Sequence, residues 1–137
     1  MALRDHPLFR KFISLHLPAG DYVIAGSAPM LAHGMNRTIG DIDIVARGKA
    51  WKAALELGPA KRSPLGPAQR IVLFGGEIEI LDGWFGYSVD ALIEEGEEIE
   101  GLSFLPLART AEWKSALRRD VDLADIESIR EFLSAAP

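Results

Sequence analysis

Asp41-Ile-Asp-Ile-Val45 is the segment that most constrains this fold. Acidic and branched apolar residues alternate with a period of two, the spacing of a strand, where successive side chains point to opposite faces. Ile42 and Ile44 therefore mark a core face. Asp41 and Asp43 share the other face, roughly 6–7 Å apart along the backbone. Two like charges so placed repel unless a cation sits between them. A second segment, Glu77-Ile-Glu-Ile-Leu81, repeats the alternation. Laid beside the first, it brings Glu79 to Asp41 and Asp43 as a third carboxylate, while Glu77 reads as an ordinary solvated strand residue. In a chain without cysteine and with three scattered histidines, oxygen ligands of this kind suit Mg²⁺ or Mn²⁺.

The rest of the chain supplies helices and turns around these strands. Residues 7–17 place Leu8, Phe9, Phe12, Ile13 and Leu15 at near-helical spacing, closed by Pro18 and Gly20. Residues 22–25 predict a short apolar strand, 28–33 a helix stopped by Gly34, and 49–57 a short helix. The stretch 58–67 reads as a loop. Strands at 70–74 and 77–81 are joined at Gly75-Gly76, a hairpin signal. A short helix over 89–95, one more strand within 98–105, and helices over 106–118 and 121–134 complete the order. In the last helix Val121, Ile126, Ile129 and Leu133 form the expected buried stripe. Strands interspersed with helices predict a single mixed α/β or α+β domain over residues 1–137, with helices packed mainly on one face of the sheet.

Charge and hydropathy narrow the function classes. Fifteen basic against twenty acidic residues give a net charge of −5, a poor balance for a general nucleic-acid coat. No stretch has the length of a membrane span. The N-terminal Arg4, Asp5, Arg10 and Lys11 leave no room for a signal-peptide core. The expectation is a cytoplasmic protein without a membrane partner.

Ahead of the acidic strand stands Gly26-Ser27, a small turn between a strand and a helix. Such a turn lets backbone N–H groups and the serine hydroxyl approach an anion; a plain helix cap is the simpler use of Ser27. Taken with Asp41-Ile-Asp-Ile44 and the later Glu79, this order resembles the nucleotidyltransferase superfamily with a polymerase-beta-like palm. The fuller run G-S-x-x-x-L-x-x-H-G-x-x-R-x-x-x-D-I-D-I-V, with Gly34 and Arg37, looks like the subgroup of abortive-infection nucleotidyltransferase toxins and their small relatives. Leu107 to Lys114, followed by Arg119-Asp-Val-Asp-Leu-Ala-Asp-Ile126, is similar to that subgroup's inward lysine and following helix start. The likeness spans residues 20–134.

The resemblance implies transfer of a nucleoside monophosphate from a nucleoside triphosphate to a hydroxyl acceptor, releasing pyrophosphate. Asp41, Asp43 and Glu79 would be the catalytic carboxylates and hold Mg²⁺ or Mn²⁺; Gly26, Ser27, Arg37 and Lys114 would bind the triphosphate. The acceptor is a small molecule, a protein or an RNA end. Glu79 stands where the family usually has Asp, and the large helical domain of many relatives is missing. The alternative is therefore a non-catalytic domain of this fold that binds a nucleotide or a partner protein, as in a toxin–antitoxin pair. Asp122 and Asp125 read as a helix cap and a first-turn acid. Trp84, Phe85 and Tyr87 read first as core and second as a stacking surface for a base. His33 reads as a packed or capping residue, and Lys61, Arg62 and Arg70 as a small basic patch.

Overall fold

The computed structural model describes residues 2–64 and 66–135. One seven-stranded mixed sheet organises the chain. Its strands are β1 (Tyr22–Ala25), β2 (Ile42–Ala46), β3 (Lys61–Arg62), β4 (Gln69–Leu73), β5 (Ile78–Leu81), β6 (Glu97–Ile99) and β7 (Leu102–Phe104). They lie in the order β3-β4-β5-β2-β1-β7-β6. Six helices accompany them: α1 (Pro7–Ser14), α2 (Ala28–Ala32), α3 (Gly48–Leu55), α4 (Val89–Glu94), α5 (Leu107–Leu117) and α6 (Asp120–Ala135).

The two faces of the sheet are used differently. Ile24, Ile42, Ile44, Ile71, Ile78, Ile80 and Phe104 form one face, all fully buried, and pack with Leu8, Phe9 and Phe12 of α1 and Ala50 and Ala54 of α3. α1 is positioned for this by Pro7 in its first turn and by His6, whose Nδ1 accepts the Leu8 N–H at 3.2 Å. The opposite face is covered only in part. Val23, Ala25, Val45 and Leu81 pack there with Leu92 and Ile93 of α4 and with Trp84 and Trp113. The uncovered remainder carries the acidic residues.

β2 and β5 are adjacent and parallel, with Asp43 directly opposite Glu79 and Ile44 opposite Ile80. The alternation read from sequence thus sends both pairs of isoleucines inward together.

Local differences from the expectations have local causes. The β4–β5 connection is not a two-residue turn: Phe74, Gly75 and Gly76 all take positive φ, and Leu73 pairs with Ile78 across a four-residue loop. The stretch 58–67 is not wholly a loop, because Lys61–Arg62 adds a short edge strand to β4; Leu65 of that stretch lies outside the described residues. The strand expected in 98–105 is a hairpin of β6 and β7, turned at Glu100-Gly101, both at positive φ. α1 stops at Ser14, and His16 then turns the chain at φ 53°. The stripe expected on α6 is rotated: Val121 and Leu133 are exposed, while Asp122, Asp125 and Ile129 are buried. Among the described residues no helix is long and apolar enough to cross a membrane.

Candidate active site

A cavity of about 620 Å³ opens on the half-covered face of the sheet, and Gly26, Ser27, Arg37, Asp41, Asp43, Glu79 and Lys114 all line it. All seven residues singled out from sequence therefore meet in one place. Two charge clusters divide them.

The first cluster is acidic. Asp43 sits on β2, Glu79 opposite it on β5, and Asp41 one residue before β2 begins. Burial, then Asp41 and then Glu79 push the Asp43 carboxyl up to about 7. Burial and Glu79 likewise raise that of Asp41. Gly26 comes so close that a Cβ there would lie 2.6 Å from Asp43 Oδ2, and its φ is +67°. Only glycine meets both demands, so the turn and the carboxylate form one unit.

Glu79 also has a partner that sequence did not suggest. Arg70 Nη1 donates to its Oε1 at 2.9 Å across β4–β5. The basic patch expected of Lys61, Arg62 and Arg70 is thereby divided: Arg70 turns into the cavity, and the other two stay exposed on β3. Glu77 pairs with Lys11 of α1.

The second cluster is centred on Asp125, a residue read from sequence as a first-turn acid. Arg37 grips it with two bonds, Nε to Oδ1 at 2.8 Å and Nη2 to Oδ2 at 3.0 Å. Lys114 Nζ donates to Oδ2 at 2.9 Å. Lys114 is 1% exposed, Asp125 4% and Asp122 0%. Burial raises the Asp125 carboxyl, but the bonds from Arg37 and Lys114 outweigh it and hold the group below its ordinary value. Asp122 keeps the capping role: its Oδ2 accepts the Arg119 backbone N–H at 3.1 Å, and its two oxygens take the Arg119 guanidinium.

Ser27 joins the clusters. Its hydroxyl makes no cap bond to α2. Its Oγ accepts instead from Lys114 Nζ at 2.9 Å and from Arg37 Nη2 at 3.3 Å. Arg37 and Lys114 thus bring their cationic groups to Ser27 at the Gly26-Ser27 turn while Asp125 holds both in place. Asp125 was legible as part of this in one respect. It shares a helix face with Ile129, and a buried acid on an apolar stripe needs a buried cation.

The remaining expectations sort cleanly. Trp84 is core, whereas Phe85 and Tyr87 are half-buried in the cavity wall. His33 caps α2 at its C-terminus, with Nε2 3.3 Å from Glu97.

The donor chemistry of the acidic cluster, hard oxygens crowded on one wall, fits a hard divalent cation through Asp41 and Asp43. Among the described residues no three His, Cys, Asp or Glu side chains already converge as a ready-made metal group, and Glu79 is turned to Arg70. Any further oxygens would come from water or from a bound phosphate.

No family model and no curated protein matches the chain in sequence. A solved structure does match. A "putative nucleotidyltransferase" from Thermotoga maritima aligns over 99% of this chain and 97% of its own, with a TM-score of 0.60 and 15% sequence identity. At that identity the likeness is one of fold: this chain has a nucleotidyltransferase-like fold over essentially its full length.

Proposed function

We propose that the protein is a metal-dependent nucleotidyltransferase, moving a nucleoside monophosphate from a nucleoside triphosphate to a hydroxyl acceptor. The observation that carries this reading is that Asp41, Asp43 and Glu79 line one cavity together with the Gly26-Ser27 turn. The fold shared with the Thermotoga maritima protein supports it.

Asp41 and Asp43 would hold Mg²⁺ or Mn²⁺. When bound, such an ion neutralises phosphate charge and lowers the pKa of a coordinated hydroxyl. The chain's own groups do the rest. The Gly26-Ser27 turn, backed by Lys114 and Arg37, positions the β- and γ-phosphates. Glu79 faces Asp43 and takes the acceptor's proton. The acceptor oxygen then bonds to the α-phosphorus as the bond from α-phosphorus to the bridging oxygen breaks. Pyrophosphate leaves with the new negative charge, beside Lys114 and Arg37.

The test is incubation with each labelled triphosphate, Mg²⁺ or Mn²⁺ and a cell extract. A labelled acceptor should form and should vanish with D41A/D43A. Absence of labelling under either metal, with nucleotide or partner binding intact in the double variant, establishes the second reading, a non-catalytic domain of toxin–antitoxin type. One observation favours that reading: Arg70 already neutralises Glu79.

A further inference from the structure

The chain reverses at residues 84–87 in a tight hairpin. Tyr87 N–H donates to the Trp84 carbonyl at 2.9 Å, and the two residues form an antiparallel bridge. Both central residues are left-handed, Phe85 at φ 46° and Gly86 at φ 79°. Turns of this primed kind favour Asn-Gly, and a bulky aromatic at the first central position is a costly choice. Backbone strain of this sort gathers at functional sites.

What the strained position presents is a ring in the cavity wall. Phe85 stacks on Trp113, with centroids 5.6 Å apart and planes 11° off parallel, and meets Trp84 edge-on at 4.9 Å. Trp84 and Trp113 pack with Val45 and Leu81. Those two lie two residues beyond Asp43 and Glu79 on the same face of the same strands. The aromatic wall is therefore one pleat repeat from the carboxylates.

Lys114 ties the wall to the anion side. Its Nζ lies 4.7 Å from the Trp113 ring centroid and 2.9 Å from Ser27 Oγ. The indole N–H groups of Trp84 and Trp113 are buried and have no hydrogen-bond partner among the described residues. With those nitrogens closed off, what the wall offers a ligand is ring surface, the half-buried Phe85 above all.

We propose that the Phe85 hairpin and Trp113 form a stacking seat for a nucleobase, placed so that the phosphates of the same or a neighbouring nucleotide reach the Gly26-Ser27 turn. The proposal rests on the transferase reading for its phosphate end, while the stacking itself does not. The shared chemistry is a planar heteroaromatic ring, belonging to the donor triphosphate or to a nucleoside acceptor.

The experiment measures tryptophan quenching and affinity in a W51F background, which leaves Trp84 and Trp113 as reporters. The ligands are ATP with Mg²⁺, inorganic tripolyphosphate with Mg²⁺, and adenosine. The variants are F85N, whose Asn suits the primed turn, and W113F. If the base is the donor's, ATP binds at least about five-fold tighter than tripolyphosphate, and F85N removes that difference while leaving tripolyphosphate unchanged. If it is the acceptor's, ATP and tripolyphosphate bind alike, adenosine quenches alongside bound ATP, and F85N removes the quenching. F85N itself should melt no lower than the parent, because relief of turn strain compensates the lost packing.

The seat is overturned if the advantage of ATP over tripolyphosphate and the adenosine signal both survive F85N and W113F, or if neither signal exists in the parent. Failure of ATP and tripolyphosphate alike to bind counts against the transferase reading, and the adenosine arm then judges the seat on its own.

Discussion

The two charge clusters of the cavity are built on opposite principles. Around Asp125 every charge is answered: Arg37, Lys114, Asp122 and Arg119 are hydrogen-bonded to one another or to Ser27. Around Asp43 the carboxylates oppose one another, and burial first, with Asp41 and Glu79 adding to it, drives its carboxyl up to about 7. The first arrangement stabilises the fold and fixes α5 and α6 against the turn. The second costs stability and leaves an unmet electrostatic demand open to the cavity. A site of this kind separates its scaffold from its chemistry, and removing a charge should have opposite consequences in the two halves.

The largest expected effect falls on turnover. D41A/D43A should lower the transfer rate by on the order of 10³-fold or more, since positioning and charge stabilisation are most of phosphoryl-transfer catalysis. A labelled-triphosphate assay on the folded variant checks this, and residual transfer above one per cent would break the assignment of the acidic half.

Next is D125A. It leaves Lys114 buried without its main partner and should destabilise the protein by about 3–5 kcal/mol. Chemical denaturation would show this as a lower midpoint with an unchanged slope. A loss below about 1 kcal/mol would mean that the network is not the brace described.

The third prediction reverses the sign. D43N should stabilise the metal-free protein by about 1–3 kcal/mol at pH 8. A carboxyl whose folded pKa lies above its unfolded one weakens the fold as pH rises from about 4 through about 7. The wild type should therefore gain stability as pH falls across that window, and D43N should lose this gain. Asp125 behaves conversely, its contribution disappearing only as pH falls below the ordinary carboxylate range. Melting curves between pH 4 and 8 separate the two. In the same assay Mg²⁺ at ten times its Kd should add about 1.4 kcal/mol to the wild type and nothing to D43N.

The smallest effect is that of S27A. Lys114 and Arg37 keep their bonds to Asp125, so the fold should lose no more than about 1 kcal/mol, while tripolyphosphate binding weakens by about 1–2 kcal/mol. Calorimetric titration distinguishes this from a helix cap, whose loss would leave the anion untouched.

Much of this was legible in the sequence because the relevant signals are periodic. Asp41-Ile-Asp-Ile and Glu77-Ile-Glu-Ile announce their own faces, and the pairing of Asp43 with Glu79 follows once the two strands are neighbours. The Arg70–Glu79 pair was not read although the hairpin was, because Arg70 lies opposite Leu81 and reaches Glu79 only on the diagonal. Nor was the centrality of Asp125. Its partners are 88 and 11 residues away in sequence, so its place on the Ile129 face hints at a buried acid but names neither cation. Phe85 was ambiguous for a third reason: composition reports that an aromatic is present, not that its backbone has been forced into a turn suited to Asn.

The direct pairing of β2 with β5 carries one more consequence. A slip of one residue between these strands would carry the two isoleucines of the slipping strand out of the core and bring its carboxylates into it, so the hydrophobic pattern locks the alignment. Asp43 and Glu79 contribute nothing to that lock; they occupy positions whose geometry the isoleucines have already set. Chemistry on this scaffold is therefore portable. A chain that keeps the isoleucines but exchanges the two acids would hold the same shape and bear a silent cleft, and restoring the acids would need no refolding. Active and inactive members of such a lineage would differ by a few side chains on an unchanged frame.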